Sequence, residues 1–175
     1  TLDSTWNEAR IEFDWTAQII KGIPRLEGDV RISDFQFSEL LPILGEPFSQ
    51  LEGSADIALK VKAKRTPETG LSVAGEGTVD IKQVLVAYQQ FEARVDSINW
   101  QGNAALDVDK PALSLQHEGD ISVEKTQLDA PKAQLALLAL ERLNLSGVKL
   151  DSLEKITLEA LSLNQLHLLR QPDAD

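Results

Sequence analysis

The sequence predicts a mainly β protein: a long antiparallel curved sheet, taco-like or sandwich-like, with one short helix around residues 38–45. Three observations predict it. Between Leu135 and Leu169, fourteen of thirty-five residues are leucine, in a Leu-x-Leu beat interleaved with Glu141, Asn144, Lys149 and Glu159. Earlier segments alternate apolar and charged residues, the two-residue period of a strand with one greasy side. Turn-forming residues then punctuate the alternation often enough to fold it back on itself. At 175 residues and 42% hydrophobic, the chain is long and apolar enough for one β-rich domain spanning 1–175.

Taken in order, Ile11, Phe13, Trp15, Ala17 and Ile19 alternate with Arg10, Glu12, Asp14, Thr16 and Gln18. Lys21-Gly22 and Pro24 break that run. Leu26, Gly28, Val30 and Ile32 form a second one, ending at Ser33-Asp34. Trp15 is expected in the core or at its rim. Ser38-Glu-Leu-Leu-Pro-Ile-Leu-Gly45 is the one helical signal, with Ser38 as N-cap, Pro42 in the first turn and Gly45 as the stop. A helix so short and so apolar is expected to cap an end of the sheet or to lie across its open edge.

After Pro47 the cleanest alternation follows: Ala55, Ile57, Leu59, Val61 and Ala63 against Asp56, Lys60, Lys62 and Lys64. The lysines read as a solvated face or charged edge that discourages aggregation, or as a contact for anionic lipid headgroups. Thr66-Pro-Glu-Thr-Gly70 is a turn into Leu71, Val73, Gly75, Gly77, Val79 and Ile81. Gly75 and Gly77 inside a strand point to a bend or a close backbone approach, and no helix follows them to make a phosphate cradle.

Parity shifts at Val84, Val86 and Tyr88, again at Phe91, Ala93 and Val95, and again at Ile98 and Trp100. Successive strands with turns at Tyr88–Gln90 and near Gly102-Asn103 would account for this. A further hairpin is expected around Glu118-Gly119-Asp120, with His117 on the inward parity as a hydrogen-bonded core residue. Ala130-Pro131 introduces the leucine-rich close. Residues 133–143 hold enough helix formers for an amphipathic helix, but the Leu-x-Leu neighbours favour strand. Three-residue steps in the leucine beat, such as Leu158-x-x-Leu161 and Leu163-x-x-Leu166, change its parity; bulges or turns must absorb them or the greasy side would rotate into water. Leu143, Val148, Leu153, Leu158, Leu163 and Leu168 also fall at intervals of five, as in a β-solenoid, but Leu161 and Leu166 occupy places that such a coil reserves for small residues.

A net charge of −11 and a pI near 4.6 argue against nucleic acid as a partner. Zero cysteine removes disulfides and thiolate chemistry. No apolar run approaches the roughly 20 residues of a membrane-spanning helix. The histidines are His117 and His167, and no nucleophile-elbow, zincin, dinucleotide or phosphate-loop motif is present, so no catalytic residues, cofactor or metal site are assigned. Asp107-Val-Asp109 lacks the rest of a calcium loop.

Two stretches resemble a known family. Ile32-Ser-Asp-Phe-Gln-Phe-Ser-Glu-Leu-Leu-Pro-Ile-Leu44, followed by Leu51-Glu-Gly-Ser-Ala-Asp-Ile-Ala-Leu59, resembles the recurring unit of AsmA-like proteins. Leu143–Leu150 and Ile156–Asp173 are similar to the DUF748 branch of that group, with Arg170 and Asp173 matching the Arg-and-acidic turn that closes its repeats and Ala174 departing from it. The resemblance implies a non-enzymatic cell-envelope protein of a diderm bacterium, in the periplasm, as a segment of a longer protein anchored in the inner membrane. It implies a role in phospholipid transfer or outer-membrane assembly, with phospholipid or another acyl-chain lipid as partner, alongside envelope proteins. Exposing a sixteen-carbon acyl chain to water costs on the order of 10 kcal/mol, so only an unbroken apolar face could offset it. Leu143, Leu145, Leu158, Leu163 and Leu168 are expected to line that face, extended by Leu59 and Val61. The same side chains fit equally a core closed against a second sheet, as in a protein-binding scaffold module.

Overall fold

In the computed structural model these alternating runs become long strands; the structure describes residues 2–6, 9–66, 70–108, 113–133, 135–151 and 155–168. The strands are β1 (Leu2–Trp6), β2 (Ala9–Ile20), β3 (Ile23–Gln36), β4 (Phe48–Thr66), β5 (Gly70–Tyr88), β6 (Phe91–Val108), β7 (Leu113–Ala130), β8 (Leu135–Asp151), β9 (Lys155–Thr157) and β10 (Ala160–Leu168). They form one ten-stranded antiparallel meander in chain order, with β9 and β10 both on the outer side of β8. Thr157 pairs with Lys149 and Ala160 with Ser146, so β9 and β10 are one strand interrupted at Leu158-Glu159. The sheet is curved and does not close, leaving β1 and β10 as edges. Of the two shapes the sequence allows, the taco-like one is found: no second sheet faces the first, and no solenoid coil is present among the described residues. The 133–143 segment is strand, as the neighbouring leucine spacing requires.

Strands this long are legible as shorter pieces because of one device. In β3, β5, β6, β7, β8 and β10 the apolar face takes a three-residue step: Ile32 to Phe35, Ile81 to Val84, Val95 to Ile98, Val123 to Thr126, Leu140 to Leu143 and Leu163 to Leu166. The five steps on β5, β6, β7, β8 and β10 lie at one level of the sheet, and that of β3 lies one row away, between the rows of Ile57 and Ala55. Gln83 stands level with Asp96, Asp96 with Lys125, Lys125 with Glu141, and Glu141 with Gln165. The extra residue is absorbed by left-handed backbone at Asp34 (φ 58°), Gln83 (φ 53°), Lys125 (φ 48°) and Gln165 (φ 52°). β4 keeps its alternation through this seam, and register shifts on both sides of it compensate. Bulges thus keep the apolar side on one face, as the leucine steps demanded.

Several expected turns are therefore not turns. β3 continues through Ser33-Asp34, β6 through Gly102-Asn103, and β7 through Glu118-Gly119-Asp120. The parity changes come from the seam, and the glycines serve packing, as described below. The hairpins at Lys21-Gly22, with φ of 52° and 79°, and at Gln89-Gln90 are found; paired left-handed residues suit the twist of a two-residue hairpin. Residues 67–69 of the Thr66–Gly70 turn, and Asp109, Lys110 and Pro111, lie outside the described residues, as do Leu153, Arg170, Asp173 and Ala174.

The helical signal resolves into a 3-10 turn, Phe37–Leu40, running into a single turn of α-helix, α1 (Leu41–Leu44). Ser38 does not cap it: Gln36 precedes the 3-10 turn and Ser38 lies inside it. Pro42 occupies the first turn, and Gly45 ends the helix at φ 61°, its N–H donating to the Leu41 carbonyl at 3.0 Å. This segment joins β3 to β4, neighbours in mid-sheet, so it caps an end of the sheet and not its edge.

There is no closed core. Among the described residues the buried apolar side chains are Ala9, Ala55 and Ala130. The accessible surface is 12088 Å². A compact protein of 19.3 kDa would expose about 8,500 Å². The excess is what one uncovered layer produces.

Candidate functional site

Residues directly opposite on paired antiparallel strands share a face, so the registers sort every side chain to one side of the sheet. One row crosses Ile11, Ile32, Ile57, Val79, Trp100, Ile121, Leu145 and Leu161. The next on the seam side crosses Phe35, Ala55, Ile81, Ile98, Val123, Leu143 and Leu163. Beyond the seam, Val84, Val95, Thr126, Leu140 and Leu166 are followed by Val86, Ala93, Leu128, Leu138 and Leu168. On the other side lie Phe13, Val30, Leu59, Gly77, Gly102, Gly119 and Val148, then Trp15, Gly28, Val61, Gly75, Ala104, His117 and Leu150. The central strands β4 to β8, of 17 to 19 residues, make this surface about 60 Å long over a width of about 20 Å, and the shorter flanking strands widen its middle to about 40 Å. Half-buried side chains occupy its middle, and exposure rises at the β10 edge to 75% at Leu168.

The sequence-derived candidates fall on this surface together. Leu143 pairs with Leu163 and with Val123, Leu145 with Ile121, Leu168 with Leu138, Leu59 with Val30, and Val61 with Gly28. Leu158 sits in the break between β9 and β10 and is 41% exposed. Trp15 is a rim residue: its ring stacks on Phe13 with centroids 6.3 Å apart and lies so close over Gly28 that a Cβ there would sit 2.8 Å from it.

Polar atoms on this face were harder to foresee. Trp100 Nε1 donates to His117 Nε2 at 2.6 Å, their rings 5.5 Å apart. The indole lies over Gly119, where a Cβ would come within 3.0 Å of Trp100 Nε1. Gly77, Gly102 and Gly119, directly opposite one another, thus form a flat floor beside the indole. At one strand end Arg65 joins the apolar parity opposite Leu71, placing a cation at the rim.

The other face is charged, and many of its charges are paired. Lys82 Nζ contacts Asp56 Oδ2 at 2.8 Å, Lys125 Nζ contacts Asp96 Oδ2 at 2.9 Å, and Lys149 Nζ reaches both Glu118 and Glu159 at 3.2 Å. Arg142 pairs with Glu124 at 2.7 Å, Lys62 with Glu27 at 3.4 Å, and Arg94 with Glu92. The Lys82 ammonium and the Asp34 N–H together hold the Asp56 carboxyl below the usual carboxylate range. Hydrogen bonds to their carboxylates raise Lys82, Lys125 and Lys149 above the ordinary lysine value. Carboxylates also receive backbone donors at bulges: Asp56 Oδ1 accepts from Asp34 N at 3.0 Å, and Asp120 Oδ1 from Gly147 N at 2.9 Å. Lys60, Lys62 and Lys64 belong to this face, level with Asp29, Glu27 and Arg25, on a strand inside the sheet and not at an edge. Asp107 is level with Ser72 and Ser114 on β5 and β7, and no group of three or more metal-ligating side chains occurs among the described residues.

No family model matches this chain, and no curated protein or solved structure matches it either. The site's chemistry therefore rests on geometry: one face offers dispersion contacts over a large area with a few polar points, and the other offers paired charges to water.

Proposed function

We propose that this chain is a non-enzymatic, AsmA-like cell-envelope protein that carries phospholipid acyl chains along the apolar face of its sheet, in the periplasm of a diderm bacterium. One observation carries the reading: an apolar surface about 60 Å long on the central strands and about 40 Å across at its widest, with no layer over it among the described residues. Monomeric soluble proteins rarely expose contiguous apolar patches beyond a few hundred Å², so a surface of this size needs an apolar occupant. An acyl chain recovers about 0.8 kcal/mol for each methylene removed from water, and a surface without charged interruptions lets it slide without crossing a desolvation barrier. Arg65 at the rim suits a lipid phosphate. Phospholipid transfer or outer-membrane assembly is the role that this chemistry serves.

Native mass spectrometry of the protein purified from a diderm host tests the proposal. Phospholipid adducts are expected, and Leu143→Asp combined with Leu163→Asp should remove them while circular dichroism stays β-rich, because both residues face the surface and neither is fully buried. Protein that is lipid-free in mild detergent and instead retains a polypeptide partner would favour the scaffold reading.

A further inference from the structure

Where the charged face places a cation it commonly places a carboxylate beside it, as at Lys82, Lys125, Arg142 and Lys149. One corner breaks that habit. Arg25 stands directly opposite Lys64, a pairing of like charges that costs stability across adjacent strands. Among the described residues neither is in an ion pair, and the nearby Glu27 contacts Lys62 instead, at 3.4 Å. The next residue, Arg65, turns to the apolar parity opposite Leu71, and Lys21 stands at the tip of the β2–β3 hairpin. All four cations are exposed. β3 and β4 have β2 and β5 on either side, so this corner belongs to an end of the sheet and not to an edge strand.

The distribution of charge suits a flat anionic partner. The cations are spread over the charged face, the hairpin tip and the apolar rim, and do not converge on one point as a site for a single small anion would require. On the charged face, Ser72 and Ala74 leave a groove beside Arg25, Lys62 and Lys64, where a headgroup phosphate meets N–H donors. On the apolar face, Leu26 lies between Ala17 and Ala63, so it stands proud of its row, and it and Leu71 are 37% and 43% exposed. Aliphatic contact is thus available beside the cations. The net charge of −11 does not oppose this. Charges act over about 10 Å at 0.1 M salt, and Glu39, Glu46, Glu92 and Asp129 lie at the opposite end of strands about 60 Å long.

We propose that this corner docks on an anionic phospholipid bilayer, with Lys21, Arg25, Lys64 and Arg65 among the headgroups. The inference rests on the lipid-carrying reading for its purpose: docking there brings one end of the apolar face to the membrane surface, where an acyl chain enters or leaves.

Flotation of the intact protein with vesicles of equal parts phosphatidylglycerol and phosphatidylcholine tests the docking, against vesicles of phosphatidylcholine alone. Binding to the anionic vesicles only is expected, weakening as salt rises. A basic residue at an anionic surface strengthens binding about fivefold, so Arg25→Gln, Lys64→Gln and Arg65→Gln together should weaken it about a hundredfold. Lys125→Gln, Lys132→Gln and Arg142→Gln, an equal change of charge away from the corner, should leave it nearly unchanged, and both triple variants should keep a β-rich circular dichroism spectrum. Phospholipid adducts in native mass spectrometry are read separately: a protein without them that still floats through this corner keeps the docking and loses the carrying role. No binding to anionic vesicles, equal binding to neutral ones, or the same loss in both triple variants would overturn the proposal. Competition by inorganic phosphate at constant ionic strength would also overturn it, by assigning the corner to a free anion.

Discussion

The two faces of this sheet are built from the same backbone and solve opposite problems. On the charged face every named ion pair joins side chains that are partly hydrated, such as Lys82 and Asp56 at 58% and 39% exposure. Pairs of that kind contribute little individually, and the face would tolerate their rearrangement. On the apolar face the rows through Ile57, Val79, Trp100 and Ile121 derive their stabilisation from area, and no second layer covers that area among the described residues. One face is finished by water and the other is left unfinished. A single charge should consequently be absorbed on the first and felt across several strands on the second.

Ile98→Asp is the most severe way to break that contrast. Ile98 lies between Ile81 and Val123 in the central strands, and an unpaired carboxylate there should lower unfolding free energy by about 3 kcal/mol in urea titrations. A carboxylate on the charged parity of the neighbouring strand, at Ser122→Asp between Asn99 and Asn144, should change it by less than about 0.5 kcal/mol. Gly119→Val comes next. Its side chain would meet Trp100 Nε1 and the β6 backbone, lifting the indole and breaking its bond to His117, at a cost of about 1–3 kcal/mol. Tryptophan emission should shift to the red in the folded variant, and an unchanged spectrum would mean that the indole does not rest on this floor.

How much of this was readable beforehand follows from the same contrast. The alternation of Ile11 to Ile19 or Ala55 to Ala63 states which side chains share a face, and the six tetrads state where parity must change. Leu143, Leu145, Leu163 and Leu168 therefore fall together as expected. Alternation cannot state whether a face is covered, because one sheet and two facing sheets ask the same pattern of each strand. Openness had to be observed. Gly102 and Gly119 misled for a related reason: glycine within a strand has the signature of a turn, and its use as a floor for Trp100 depends on which residue the neighbouring strand brings alongside. The Trp100–His117 bond joins residues seventeen apart in sequence and becomes visible only with the β6–β7 register.

The seam offers a smaller test. Gln83 holds φ at 53°, a conformation that disfavours side chains, β-branched ones most. Gln83→Gly should stabilise the sheet by up to about 1 kcal/mol and Gln83→Val should destabilise it by about 1–2 kcal/mol, opposite signs at one exposed position. Equal effects would mean that β5 does not keep its step there.

The smallest effect belongs to the charged face, and its sign is fixed. Asp56 titrates below its ordinary value of 3.8 when folded, so its contribution is present above that pH and disappears as pH falls through the lowered value. Lys82 titrates above 10.5 when folded, so its contribution is complete below 10.5 and disappears as pH rises through the raised value. Asp56→Asn should flatten both limbs of the stability profile and change the neutral region least, since the pair is exposed to solvent and screened by salt. A loss at neutral pH as large as that of Ile98→Asp would mean that Asp56 acts chiefly through the Asp34 N–H it accepts, holding the bulge of β3 and with it the parity of the apolar face.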